Sequence, residues 1–193
     1  MRIGLYASIV ASDKGHERNV SAHVQVPVHT LRVLREAGHE AHLITNEYGA
    51  DKTMPACMPE GAPVHLVPDG RKRPKNLRGG KGTRGVSVLR LLQQLRAIVR
   101  VARAERLEVL HVFGYLRSGC LAGLLRLLGL PCPVVFTFVG ATMPARLGGM
   151  SRFLLRRVDR LVASTEYTAR VLEQHGFEAT VCRHGIVRDI VAE

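Results

Sequence analysis

Tryptophan is absent from this chain of 193 residues, and aromatic residues make up only 5% of it. The stacking surfaces that single-strand nucleic-acid binders rely on are therefore poorly supplied, and no zinc-finger or RNP-like motif is present. Acidic residues are also scarce, with 16 Asp and Glu against 28 Lys and Arg, a formal net charge of +12. Such a surface attracts phosphate-bearing partners, whether nucleic acid, anionic lipid or nucleotide, and charge alone does not choose among them. Nucleic acid is disfavoured by the missing aromatics and would require a strongly salt-dependent affinity.

Cysteine is sparse. Cys57, Cys120, Cys132 and Cys182 lie far apart with no CxxC pair or Cys/His ligand cluster, so no zinc site or disulfide framework is indicated. They read as reduced thiols of a cytoplasmic protein. No run approaches 18 uninterrupted apolar residues, and the opening MRIGLYASIV lacks a signal-peptide hydrophobic stretch and cleavage site. What is present, 46% hydrophobic and 23% charged residues, suits one folded domain.

Short apolar runs alternate with segments of helical periodicity. RIGLYAS (2–8) reads as a first strand followed by a polar loop with Asp13, Lys14 and Gly15. Val24, Val28, Leu31 and Leu34 recur at helical spacing between Val20 and Ala37, and Gly38 stands where a C-cap is wanted. EAHLITN and APVHLVP (62–68) give the second and third strands. Ser87 could N-cap a helix running to about Arg106, with Leu91, Leu95, Ile98 and Val101 or Ala102 inward and Arg96, Arg100 and Arg103 outward. EVLHVFG (108–114), a Leu-rich helix over 118–128, PVVFTFVG (133–140), a helix over 151–158, RLVAS, a helix over 166–174 and EATVCR complete the series. The expected fold is α/β and doubly wound, a mainly parallel sheet with helices on both faces.

In such a sheet ligands bind beyond the carboxyl ends of the strands. The first loop, SIVASDKGHERN, offers Gly15 for close backbone approach and a helix N-terminus near Asn19 for an anionic group. It is not a GxGxxG loop, which disfavours a nicotinamide or flavin dinucleotide, and Gly15 could equally just make a turn. His111 stands inside an apolar strand, where a hydrogen-bonded core histidine is the common case, so it is a positioning residue at best. Between Gly70 and Gly85 the chain gathers seven basic residues, Arg71, Lys72, Arg73, Lys75, Arg78, Lys81 and Arg84. This segment is either a grip for an acidic acceptor or an anionic membrane, worth roughly 1 kcal/mol per basic residue near such a surface, or simply a solvated face. Phe153, Leu154 and Leu155 beside Arg152, Arg156 and Arg157 form a weaker amphipathic candidate that reads equally well as a core helix.

Several strings, taken in order, resemble the N-terminal domain of glycosyltransferase family 4: LREAGHEAHLIT, HVFGYLRSG, the G-L-P step into PVVFTFVG, DRLVASTEYTARVLEQHGF and VCRHGIVRD. The resemblance implies residues 1–183 as the acceptor-side, Rossmann-like half of a GT-B enzyme, with 184–193 starting the linker to a donor-binding domain whose paired-glutamate motif is absent from these residues. It further implies a retaining, metal-independent transfer in the cleft. This domain would hold no cofactor of its own, and the nucleotide-sugar donor would lie mainly on the other half. Gly15, His111, Gly140, Ser164 and Gly185 match family positions lining the cleft, with no catalytic residue assigned. One departure stands out: where many members carry His after the fifth strand, this chain has Val139. Two functions follow as expectations. One is the acceptor-binding half of a glycosyltransferase; the other is a non-catalytic acceptor-binding or scaffold subunit docking on a donor-binding partner. Location would be cytoplasmic, with peripheral contact at the inner face of an anionic membrane as an option.

Overall fold

The computed structural model describes residues 1–8, 22–46, 58–68, 88–139 and 146–182. These form strands β1 (Arg2–Ala7), β2 (Glu40–Asn46), β3 (Val64–Val67), β4 (Val109–Gly114), β5 (Val134–Phe138), β6 (Arg160–Ala163) and β7 (Thr180–Val181). Between them lie helices α1 (Ala22–Glu36), α2 (Val88–Ala104), α3 (Leu116–Leu127), α4 (Gly149–Leu155) and α5 (Glu166–Gln174). The strands make one sheet in the order β3-β2-β1-β4-β5-β6-β7, and every pairing is parallel.

The order follows from crossover handedness. Right-handed connections that step outward from β1 to β2 place their helix on one face, while those stepping the other way from β4 place theirs on the opposite face. Accordingly α1 packs Val28 and Leu31 against Ile3, Leu5, Ala7, Ala41, Leu43 and Phe113. The larger core lies on the other face, where Leu95, Ile98 and Ala102 of α2, Leu121 and Leu125 of α3, and Val171 and Leu172 of α5 cover Leu110, Val112, Val134, Phe136 and Leu161. The outward Arg stripe of α2 is exposed as its periodicity predicts, at Arg96, Arg100 and Arg103.

Helices α1, α2, α3 and α5 all end the same way. In each, one amide bonds three residues back and the next bonds five back: Gly38 to Arg35 and His39 to Leu34, Arg106 to Arg103 and Leu107 to Ala102, Gly129 to Arg126 and Leu130 to Leu125, Gly176 to Glu173 and Phe177 to Leu172. This closure requires a residue at positive φ. Glycine supplies it three times, and at the end of α2 it is Arg106, at φ 48°.

Two expected helices start earlier in the structure. Helix α3 begins at Leu116 rather than Ser118, directly after the turn at Gly114, and α4 begins at Gly149 rather than Ser151. No helix among the described residues is long and apolar enough to cross a membrane.

Candidate functional site

Strand order reverses between β1 and β4, and it is in a crevice beyond the strand carboxyl ends at such a switch point that this class of fold takes its ligands. Gly114 ends β4 at φ 146°, and a Cβ there would collide with the Ser118 side chain. The glycine lets the chain turn straight into α3, whose N-terminus carries no side-chain cap at Tyr115. Next to it, the Val139 amide donates to the Gly114 carbonyl (3.0 Å) and the Ser164 amide to the Phe138 carbonyl (3.2 Å). The ends of β4, β5 and β6 are thereby tied into one rim. At α5 the Thr165 hydroxyl accepts from the Thr168 amide (3.1 Å), an N-cap placed at the same rim.

Under the β1–β2 side of the rim lies a closed polar group that sequence reasoning missed. Gln94 Nε2 donates to the Tyr6 hydroxyl (2.8 Å) and to Asn46 Oδ1 (2.7 Å), Tyr6 donates to Asn46 Oδ1 (2.9 Å), and Asn46 Nδ2 donates to Ser8 Oγ (3.0 Å). Tyr6, Asn46 and Gln94 are all buried. Both amide hydrogens of Gln94 and both lone pairs of Asn46 Oδ1 are thus used, which fixes the ends of β1 and β2 against α2. The only trace of this in the sequence was a polar residue closing an apolar strand.

Of the candidate cleft-lining residues, His111 and Ser164 fall among those described. Ser164 is half-buried at the rim. His111 lies three positions below the end of β4, about 10 Å at roughly 3.3 Å per residue. Its Nε2 is 2.7 Å from Thr137 Oγ1, and its ring stacks on Phe113 with centroids 4.0 Å apart. It braces β4 against β5 beneath the crevice. Val139 is buried against the Phe113 side of the sheet. Leu154 and Leu155 turn into the core, whereas Phe153 stays exposed with the Arg157 guanidinium 5.0 Å from its ring centroid. Gly15, Asn19, Gly140, Gly185 and the basic run Arg71–Arg84 lie outside the described residues, as does Ser87.

A second grouping sits at the opposite, amino edge of the sheet. His42 of β2 and His65 of β3 stack with centroids 5.3 Å apart, and His42 Nδ1 is 3.0 Å from His65 Nε2 and 4.0 Å from the Glu105 carboxylate at the end of α2. Burial pushes the His65 pKa below its ordinary value of 6.5; Glu105 opposes this and His42 adds to it. Beside the group a shallow pocket of about 500 Å³ is lined by Met1, Arg2, Gly38, Glu40, Arg106 and Glu108. It faces away from the strand carboxyl ends and is not the crevice of the switch point.

An all-parallel sheet reversing at β1/β4, with its glycine turn and tied rim, is a Rossmann-like α/β fold. The chain belongs to the glycosyl transferase 4-like domain family, whose profile matches residues 23–183. Comparison with curated protein sequences gives no significant match. Among solved structures it is similar to the lipopolysaccharide outer core galactosyltransferase WaaB in its apo form, with TM-score 0.61, 12% identity, and 96% of this chain and 46% of that chain covered. It is similar also to sucrose-phosphate synthase from Thermosynechococcus elongatus (TM-score 0.61, 15% identity, 96% and 48% covered). The UDP-GlcNAc 2-epimerase from Methanocaldococcus jannaschii shares the fold as well (TM-score 0.59, 16% identity, 94% and 45% covered). This chain therefore spans less than half the length of each, and at these identities the likeness is one of fold. The epimerase among them shows that the fold alone does not fix the reaction.

Proposed function

We propose that this chain is the acceptor-binding half of a glycosyltransferase that moves a sugar from a nucleotide-sugar donor to an acceptor. A donor-binding Rossmann domain, in the same or another chain, would complete the cleft. The observation that carries this reading is the switch point between β1 and β4 in a domain of the glycosyl transferase 4-like family. In this reading Gly114 and Ser164 contribute rim, His111 holds β4 and β5 in register beneath it, and the Gln94–Asn46–Tyr6 group keeps the floor rigid. Transfer would be retaining and metal-independent, as the family resemblance implies. The diphosphate leaving group would be stabilised chiefly by donors on the other half.

A second reading, a non-catalytic acceptor-binding or scaffold subunit, is favoured by one specific observation. Val139 occupies the place where many family members carry His, and its buried isopropyl group can neither donate a hydrogen bond nor move a proton.

Calorimetric titration with nucleotide sugars and nucleotide diphosphates separates these readings. It should be run on the isolated chain and on the chain joined to a GT-B donor domain, followed by a transfer assay. Donor binding and transfer in the joined protein only are expected. Donor binding without transfer assigns the scaffold role, and tight nucleotide-sugar binding by the isolated chain overturns both.

A further inference from the structure

We infer that His42, His65 and Glu105 form a binding site for a zinc-class divalent metal ion at the amino edge of the sheet, with Glu40 as the carboxylate that orients His42. The site lies at the opposite end of the strands from the crevice proposed for sugar transfer.

The ligand atoms are already gathered. His42, His65 and Glu105 each offer one ligand atom, and these atoms all lie within 4.8 Å of one another. A tetrahedral ion with bonds of about 2.0–2.1 Å holds its ligand atoms roughly 3.3 Å apart. The observed separations of 3.0 Å between the two ring nitrogens and 4.0 Å between His42 and Glu105 bracket that spacing. Two imidazoles with one carboxylate suit zinc and its neighbours rather than magnesium or calcium, and leave a coordination position open.

The second shell supports the same assignment. His42 Nε2 lies 3.3 Å from Glu40 Oε1, and the Arg2 guanidinium holds the same carboxylate at 2.8 Å. An imidazole that donates Nε2–H to a carboxylate keeps Nδ1 unprotonated, so the His42 lone pair faces His65 and Glu105. A carboxylate behind a ligating histidine is the usual way the ring is aimed and its basicity raised. Arg2 Nη1 also donates to the Glu105 carbonyl (3.4 Å). One arginine therefore positions both the orienting carboxylate and the segment that bears the third ligand.

The backbone explains why these distant residues meet. His42 and His65 project from the same face of neighbouring parallel strands, Leu43 pairing with Val64 and Ile44 with His65. The Arg106 turn ends α2 with Glu105 above them. His65 and Glu105 are half-exposed, which gives an ion a path from solvent. A bound ion would clip the four-residue edge strand β3 to β2 and to the end of α2.

The test uses the full chain stripped of metal with EDTA. Zinc titrated calorimetrically should bind one ion per chain and raise Tm by several degrees at about a hundredfold excess over Kd. Cobalt(II) should give the intense visible bands of a four-coordinate nitrogen–oxygen site. His65→Ala and Glu105→Ala, both at half-exposed positions, should fold yet lose at least about tenfold in affinity, and Glu40→Gln should weaken binding roughly tenfold through His42. Absence of saturable binding by the wild-type chain overturns the inference. So does unchanged affinity in both His65→Ala and Glu105→Ala, which would place the ion elsewhere.

Discussion

Arg106 is the residue whose local conformation and identity disagree. It holds the positive-φ position that glycine holds at the ends of α1, α3 and α5. A side chain there costs about 1–2 kcal/mol of backbone strain, while glycine would cost about 0.5–1 kcal/mol in unfolded-state freedom. Arg106→Gly should therefore stabilise the domain by about 0.5–1 kcal/mol and raise Tm by roughly 2 °C in a thermal melt. An unchanged or lowered Tm would show that the arginine side chain contributes at the pocket it lines. The sequence marked the C-cap at Gly38 plainly. It gave no sign that Arg106 does the same work, because nothing in the residue itself signals a left-handed conformation. The metal-ligand group was equally hidden, since His42, His65 and Glu105 meet only through strand register and a helix end.

Elements were legible in proportion to their local signals. Strand β2 and helix α5 coincide with the segments read from sequence, Glu40–Asn46 and Glu166–Gln174, each bounded by a helix-ending glycine, and α5 also by the Thr165 cap. Helices α3 and α4 were read two residues late because neither has a capping side chain, and α4 starts at Gly149, a residue that usually signals a loop. What sequence could not convey is how closely these two helices pack. A Cβ at Gly123 of α3 would overlap the backbone carbonyl of Leu154 in α4, and one at Gly119 would meet Phe136 and Leu155. Backbone cannot swing aside as a side chain can, so Gly123→Ala should cost about 3 kcal/mol. Gly149→Ala, with open space around it, is the matched control and should leave Tm unchanged within error. Equal melting of the two variants would mean that α4 shifts freely and is not locked onto α3.

For the whole molecule, sequence alternation conveyed the α/β class and the parallel sheet, but not the strand order, which depends on pairings between distant segments. Much of the crevice stayed out of reach for the same reason. The rim is built from the ends of β4, β5 and β6, and its floor from Tyr6, Asn46 and Gln94, residues that come together only in the folded sheet. Strand β1 is the hub, paired with β2 on one side and with β4 on the other. A chain ended after residue 106 would leave β1 with one neighbour and α2 without Leu110 and Val112 beneath it. Such a truncation should show no cooperative transition by circular dichroism, while the full chain should unfold in one sharp transition. A sharp melt of the fragment would mean that β1–β3 with their helices fold alone.

The central place of the first strand also shapes how the protein is made. The Arg2 amide meets the Glu108 carboxylate across 106 positions of chain. With synthesis at about 5–20 residues per second, β1 leaves the ribosome several seconds before β4 exists. For that interval the edge of β1 that β4 will later cover, with Ile3, Leu5 and Tyr6, is open to any passing strand.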